Sequence, residues 1–168
     1  MTTSTHTEEI TVMRDGLRLH GRIDAPQGEP KGPVVILMHG FMADLGYEPG
    51  SLLQQVSDQL VEAGFTSVRF DFNGRGNSDG SFANSDVCNQ VEDAIAVLNF
   101  VRDRFEPAEI SLLGHSQGGV IAGMTAGMYA DVVHSLVLLS PAASIKDDAL
   151  RGRVLGVPFD PYHIPRRI

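Results

Sequence analysis

The sequence predicts an α/β fold with a mostly parallel sheet and an antiparallel hairpin at its N-terminal edge. The main observation is an alternation along the chain, in which short apolar runs that suit buried strands are separated by segments with apolar residues at helical spacing. A second observation is the pattern Gly-x-Ser-x-Gly at residues 114–118, which is typical of a sharp turn from a strand to a helix. Strands that alternate with helices pair in parallel through right-handed connections.

The first elements form the predicted hairpin. Glu8 to Arg14 and Leu17 to Asp24 show partial alternation of apolar and polar residues, and Asp15-Gly16 between them favours a tight turn. A loop rich in Pro and Gly follows from Ala25 to Gly32. Val34 to Met38 is then a continuous apolar run, which indicates a strand covered on both faces.

The central elements alternate between helix and strand. Ser51 to Ala63 has apolar residues at helical spacing, with Ser51 as the expected cap and Gly64 as the stop. Thr66 to Phe70 is the next predicted strand. A predicted loop rich in Gly, Asn, Ser and Asp leads to a long helix over Ser85 to Phe105.

The last predicted elements flank the Gly-x-Ser-x-Gly pattern. A strand over Ile110 to Leu113 precedes it, and a helix extends from it to about Tyr129. Ser135 to Leu139 is a further strand. Residues 1–142 are therefore assigned to one layered core, and residues 143–168 to a separate segment with scattered Pro, Gly and Arg.

Composition narrows the class of protein. The 168 residues, 42% of them hydrophobic, describe one globular domain. A net charge of −8 argues against nucleic acid and anionic membranes as partners, because both bind basic surfaces. No apolar stretch approaches the roughly 18 residues of a membrane span, and residues 1–9 lack the apolar core of a signal peptide. With Cys88 as its single cysteine, the chain is expected in the cytoplasm.

The chemistry is expected at Ser116. A serine hydroxyl is a poor nucleophile, so it has to be held clear of the backbone and beside donors that stabilise an oxyanion. A helix that begins at Ser116 leaves the backbone N–H of Gln117 unpaired, and Gly114 and Gly118 have no Cβ to collide where strand and helix cross. The alternative is a Gly-rich turn that binds an anion or no ligand.

Three motifs together carry a resemblance to a known family. They are His39-Gly40-Phe41, the segment Asp71 to Ser78 and the segment Gly114 to Gly119. From about Glu8 to Ala142, the chain resembles the α/β-hydrolases, and within them the feruloyl (cinnamoyl) esterases. The resemblance implies an α/β-hydrolase fold that lacks the last strands. It also implies a serine esterase that cleaves small-molecule aryl or hydroxycinnamate esters without a metal or a cofactor.

The resemblance also implies roles for individual residues. Ser116 is the nucleophile, and the backbone N–H groups of Phe41 and Gln117 form the oxyanion hole. His39 steadies its loop through a hydrogen bond, and His115 lines the pocket. Asp71 and the loop after it serve as scaffold, and the close contacts of the turns depend on the glycines Gly40, Gly114 and Gly118.

The chain departs from this family downstream of Ser116. The family's triad follows the order serine, acid, histidine. His134 precedes a strand and is expected at the amino-terminal edge of the sheet, whereas His163 lies in residues 143–168, which resemble the opening of a lid insertion. The acidic residues of that segment are expected on the surface: Asp147, Asp148 and Asp160. We therefore expect a C-terminally truncated chain without the triad acid and base, and with impaired activity.

The expected truncation also predicts an open edge of the sheet. Without neighbouring strands, Ser135 to Leu139 would form an open sheet edge, which favours self-association. Two other functions also stay open. One is a lipase-like or aminopeptidase-like serine hydrolase of the same fold, and the other is a non-catalytic module that binds a small carbonyl ligand or a partner chain.

Overall fold

The computed structural model describes residues 5–27, 32–106, 109–154, 157–158 and 160. Six strands form the main sheet: β1 (Thr5–Arg14), β2 (Leu17–Pro26), β3 (Val34–Met38), β4 (Thr66–Phe70), β5 (Ile110–His115) and β6 (Val133–Leu139). The helices are α1 (Leu52–Glu62), α2 (Val87–Phe105), α3 (Gln117–Met128) and α4 (Ile145–Leu150), with a 3-10 turn at Phe82–Asn84. A second, short hairpin pairs β7 (Arg153–Val154) with β8 (Val157–Pro158).

The predicted fold class is confirmed by the strand order β1-β2-β4-β3-β5-β6. β1 and β2 pair antiparallel around Asp15 and Gly16, whose φ angles of 50° and 84° suit a tight hairpin turn. β2 is antiparallel to β4, and the pairs β3–β4, β3–β5 and β5–β6 are parallel. The hairpin begins earlier than predicted, at Thr5, and the Thr7 hydroxyl donates to Asp24 Oδ1 at 2.8 Å across it.

The core lies on both faces of the central strands. Every residue of β3 is buried, as its continuous apolar run predicts. Ile36 belongs to the apolar cluster that includes residues of α2 and α3, whereas Leu37 packs in a second cluster with residues of α1. Successive residues of β3 therefore pack against two different helix layers. This packing fixes the position of the carboxyl end of the strand.

The start of α2 differs from the prediction, whereas the start of α1 agrees with it. α2 begins at Val87 rather than at Ser85, because Asp86 accepts a hydrogen bond from the Asn89 N–H and Asn89 accepts one from the Asp86 N–H. Ser51 does occupy the position before α1, but its hydroxyl makes no capping hydrogen bond and is buried without a partner in the described part of the chain. Ser51 is therefore the N-cap residue of α1, as predicted, through its backbone carbonyl, which accepts from the Gln55 N–H at 3.0 Å.

β6 is the last strand of the sheet and is largely exposed. It pairs with β5, and no further strand pairs with it among the described residues. Leu136 and Leu138 are 37% and 44% exposed. The predicted open edge is therefore present in the described fold, while self-association through it stays a prediction.

Residues 143–168, which the sequence assigns to a lid insertion, contain α4 and the short β7–β8 hairpin. Residues 161–168 lie outside the described ranges, so the lid assignment stays a prediction. Of the helices that the structure describes, none has both the length and the apolar character needed to cross a bilayer. The cytoplasmic location likewise stays a prediction.

Candidate active site

Ser116 lies at the turn from β5 into α3. Its backbone has φ 53° and ψ −118°, a conformation that costs a residue with a side chain about 1–3 kcal/mol. Three hydrogen bonds fix this turn: the Ser116 N–H donates to the Leu139 carbonyl at 3.0 Å, and the Ser116 carbonyl accepts from Gly119 at 3.0 Å and Ala142 at 2.9 Å. Neighbouring segments thus keep the serine in a conformation that the isolated chain would avoid.

The strand, the turn and the helix approach so closely that only glycine fits at two positions. A Cβ on Gly114 would lie 2.2 Å from the Gly118 carbonyl oxygen. A Cβ on Gly118 would lie 2.3 Å from the Met38 carbonyl oxygen at the end of β3. Both distances are far below van der Waals contact, so these glycines let α3 begin directly against the loop after β3.

The loop after β3 reaches the nucleophile turn through Gly40. A Cβ at this position would lie 3.1 Å from the Ser116 Cβ. Phe41 follows directly, and its backbone N–H donates to no acceptor in the described part of the chain. The same is true of the Gln117 N–H at the first position of α3. Two unpaired backbone donors therefore flank Ser116, as an oxyanion hole requires.

His39 is buried and holds the Gly40 carbonyl. The Phe72 N–H donates to His39 Nε2 at 3.3 Å, so the ring proton is on Nδ1, which lies 2.9 Å from the Gly40 carbonyl oxygen and donates to it. Burial lowers the pKa of His39 below the ordinary value of 6.5 and keeps the ring neutral. With both ring nitrogens occupied, the geometry suits loop support and not proton transfer at Ser116.

The loop after β4 supports the loop after β3 from a second direction. Asp71, fully buried, accepts from the Leu45 N–H at 2.8 Å, from the Asn77 N–H at 2.9 Å and from the Tyr47 hydroxyl. Burial, followed by the hydrogen bond to Asp71, raises the pKa of Tyr47. Asp71 thus has the geometry of the scaffold that the sequence predicts.

Two contacts at the site were not predicted from the sequence. Arg75 donates from Nε to the Ala43 carbonyl at 3.0 Å and from an Nη to the Met42 carbonyl. Gln90, buried on α2, accepts from Gln117 Nε2 at 2.7 Å. The sequence signal for the second contact was the position of Gln90 beside the apolar stripe of α2. A buried polar side chain at such a position needs a hydrogen-bond partner.

The Ser116 hydroxyl has no hydrogen-bond partner in the described ranges. His115 is half-buried, and its Nδ1 lies 3.3 Å from the point that a Cβ on Gly40 would occupy. His134 is at the amino-terminal edge of the sheet, as predicted, where its Nε2 lies 3.7 Å from a Glu109 carboxylate oxygen. His163 lies outside the described residues.

The acidic residues after β6 that the sequence predicts on the surface are Asp147, Asp148 and Asp160. Asp147 and Asp160 are exposed, and Asp148 accepts from the Ser144 hydroxyl at 3.1 Å. Across the described residues, no group of three or more His, Cys, Asp or Glu side chains is arranged to hold a metal ion.

Comparison with known proteins links this geometry to a family. Residues 28–159 match the family described as serine aminopeptidase, S33. Est1E from Butyrivibrio proteoclasticus, whose structure holds ferulic acid, is 34% identical, with a TM-score of 0.84 over 93% of this chain and 62% of that chain.

Two curated relatives are similar in sequence. Rat monoglyceride lipase is 30% identical over 132 residues, which are 77% of this chain and 41% of the lipase. An uncharacterised 31.7 kDa protein of Escherichia coli is 34% identical over 109 residues, which are 64% of this chain and 36% of that protein. The chain therefore spans less than half the length of these two relatives.

Proposed function

This chain belongs to the serine aminopeptidase S33 family of α/β-hydrolases, and we propose that it serves the hydrolysis of carboxylic esters through an acyl-enzyme on Ser116. One observation carries the proposal: the left-handed Ser116 is flanked by two unpaired backbone N–H groups, those of Phe41 and Gln117. A neutral serine in an ordinary turn has no need of this costly arrangement.

The proposed reaction has two steps. The Ser116 oxygen attacks the ester carbonyl carbon, and the carbonyl oxygen becomes an oxyanion that accepts hydrogen bonds from Phe41 and Gln117. The alcohol leaves with a proton, and water then releases the acid from the serine ester. Each oxyanion donor contributes about 10²–10³ to the rate of such reactions.

Proton transfer is the slow step of the proposed reaction. No imidazole or carboxylate accepts from the Ser116 hydroxyl in the described ranges, so the serine reacts there as a neutral alcohol. Loss of the base from such a site costs on the order of 10⁶ in kcat. An intact oxyanion hole still leaves about 10³–10⁴ over water. We therefore propose that the described residues supply the nucleophile and the oxyanion hole of the reaction but not its base, so that on their own they support only slow hydrolysis.

The proposed substrate is an aryl or hydroxycinnamate ester. Two observations support it: Est1E, which is similar over 93% of this chain, binds ferulic acid, and the rings of Phe41 and Phe82 lie 5.4 Å apart beside the nucleophile turn. Phe41 is 53% exposed, so an aromatic face is available to an acyl group. A glycerol ester is the second candidate, favoured by the similarity to monoglyceride lipase.

The proposal is tested by mass spectrometry of the intact chain after treatment with a fluorophosphonate, with Ser116→Ala as the control. We expect slow formation of one adduct on the wild type and none on the variant. A folded wild type that gains no adduct would contradict the acyl-enzyme and favour the non-catalytic binding module.

Substrate class is tested separately. Release of acid from methyl ferulate and from a monoacylglycerol is measured at equal concentration for the wild type and for Phe41→Leu, which keeps the backbone N–H. We expect preference for the ferulate and its reduction in the variant. A preference for the glycerol ester would favour the lipase-like alternative.

A further inference from the structure

The turn that carries the Phe41 N–H is held in an unusual conformation. It spans residues 40–43, and the Ala43 N–H donates to the Gly40 carbonyl at 3.2 Å. Within it, Met42 has φ 57°, in the left-handed region that residues with a side chain rarely adopt. Met42 is also 63% exposed, so its side chain is not what fixes the turn. Another group has to stabilise this backbone.

Arg75 contacts the turn at two successive carbonyl groups. Its Nε donates to the Ala43 carbonyl at 3.0 Å, and an Nη donates to the Met42 carbonyl. The planar guanidinium can bind two acceptors at once in a fixed geometry, which a lysine ammonium on its flexible stem does not reproduce. Arg75 forms no ion pair with a carboxylate in the part of the chain that the structure describes, so these carbonyls are its main partners.

The same guanidinium also contacts the pair of aromatic rings at the site, Phe82 and Phe41. Its central carbon lies 5.3 Å from the centroid of the Phe82 ring, within the range of a cation–π contact. The Phe82 ring in turn lies 5.4 Å from the Phe41 ring. Arg75 therefore contacts the backbone of the turn directly and approaches the Phe41 side chain through Phe82.

Arg75 is itself fixed by its own loop. Its N–H donates to the Phe72 carbonyl at 3.0 Å, and its carbonyl accepts from the Ser78 N–H at 3.0 Å. This loop is anchored by Asp71, which is fully buried. Because these hydrogen bonds fix the loop of Arg75, its guanidinium can hold the turn of residues 40–43 at a constant distance from Ser116.

We propose that Arg75 is a positioning residue of this site: it keeps the turn of residues 40–43 in the conformation that points the Phe41 N–H at the oxyanion. The inference rests on the proposed function of Ser116. Because the oxyanion exists only during reaction, loss of Arg75 should slow the chemical step and leave the binding of the reagent nearly unchanged.

The test uses fluorophosphonate inactivation of the whole chain, separated into the maximal rate and the concentration for half-maximal rate. Arg75→Lys and Arg75→Ala are compared with the wild type. We expect the maximal rate to fall about tenfold in Arg75→Ala and less in Arg75→Lys, with the half-maximal concentration changed by less than about twofold. A change confined to the half-maximal concentration, or no change at all, would overturn the inference.

Arg104 offers a matched control on α2. Its guanidinium also lies over a phenylalanine ring, 5.4 Å from the centroid of Phe105, and it forms an ion pair with Glu8 at 2.7 Å. It makes no contact with the turn of residues 40–43. Arg104→Lys should therefore leave both inactivation parameters at wild-type values, and an equal loss in Arg104→Lys would attribute the effect of Arg75→Lys to general destabilisation and overturn the inference.

A second readout does not depend on reactivity. Amide hydrogen exchange at Ala43, whose N–H donates to the Gly40 carbonyl within the turn, should be faster in Arg75→Lys than in the wild type when measured by NMR, while exchange in β3 stays unchanged. If the wild type forms no adduct, the proposed function fails, and this exchange measurement still decides whether Arg75 holds the turn. Unchanged exchange at Ala43 would overturn the inference.

Discussion

The site has two halves: the oxyanion half, which would stabilise the developing negative charge, and the proton-accepting half, which would take the serine proton. The described residues form the first half and not the second. The oxyanion half consists of the backbone N–H groups of Phe41 and Gln117, and three side chains bind the surrounding chain: His39, Arg75 and Gln90. The proton-accepting half is the group that would take the proton of the nucleophilic hydroxyl, and none lies within hydrogen-bond distance of it in the described ranges.

The difference follows from what each half requires. The oxyanion half needs backbone N–H groups after β3 and β5 and the Arg75 side chain after β4, and these three strands are adjacent in the sheet. It is therefore assembled when these strands pair and their loops meet. Proton transfer instead needs one side chain at one position, which strand pairing alone does not supply. The two halves are separable, and each can be altered without the other.

The largest expected effect comes from Gly118→Ala, which would break the oxyanion half. Its Cβ would lie 2.3 Å from the Met38 carbonyl oxygen and 2.4 Å from that of His39, so α3 or the loop after β3 has to move. We expect a loss of about 3 kcal/mol in the free energy of unfolding, measured with urea, and loss of fluorophosphonate labelling.

Gly123→Ala is the control on the same helix. A Cβ at Gly123 meets no atom within 4 Å, so the variant gains helix propensity without a collision. We expect it to be as stable as the wild type or more stable by up to about 1 kcal/mol. Equal destabilisation by the two alanines would show that close approach at Gly118 is not the cause.

The next effect is the pH dependence that His39 imposes on the oxyanion half. Burial holds its pKa below 6.5 in the folded chain, so the unfolded chain binds a proton as the pH falls through about 6.5 while the folded chain does not. The stability contributed by the neutral ring is therefore complete above pH 6.5 and is lost below it, with a slope of at most about 1.4 kcal/mol per pH unit.

Urea unfolding between pH 7.5 and 5 measures this slope. His39→Asn should remove it, because the amide can still donate to the Gly40 carbonyl but does not titrate. The exposed His134 provides the control, and His134→Asn should keep the wild-type slope. A wild-type slope that His39→Asn leaves unchanged would show that the buried ring is not its source.

Much of the fold was predictable because it depends on local patterns. The apolar run of β3 predicts a strand covered on both faces, and Asp15-Gly16 predicts the hairpin turn that their positive φ angles confirm. The pattern around Ser116 likewise predicts the turn from β5 to α3. In each of these segments the residues that set the conformation are neighbours in sequence.

The supports of the oxyanion half were not predictable in the same way. Arg75 reaches a carbonyl 33 positions earlier, and Gln90 binds a side chain 27 positions later. Such contacts depend on the relative positions of segments that are distant in sequence. A local sequence pattern does not predict those positions. Ser51 shows a related limit: its residue type and position predict the N-cap correctly, but they do not predict that its hydroxyl makes no capping hydrogen bond.

The smallest expected effect concerns the proton-accepting half and uses a base added from solution. Loss of a positioned base costs such a site on the order of 10⁶ in kcat. Free imidazole near 0.1 M lacks that positioning, so it should raise fluorophosphonate labelling of the wild type only about threefold. The measurement is the labelling rate at pH 8 against imidazole concentration at constant ionic strength, with Ser116→Ala as the blank. The same relative increase should occur in Arg75→Lys, because that variant alters the other half. The opposite outcome is a labelling rate that does not depend on imidazole and instead follows the titration of one protein group near neutral pH. It would show that the chain supplies its own base and that the two halves are equally complete.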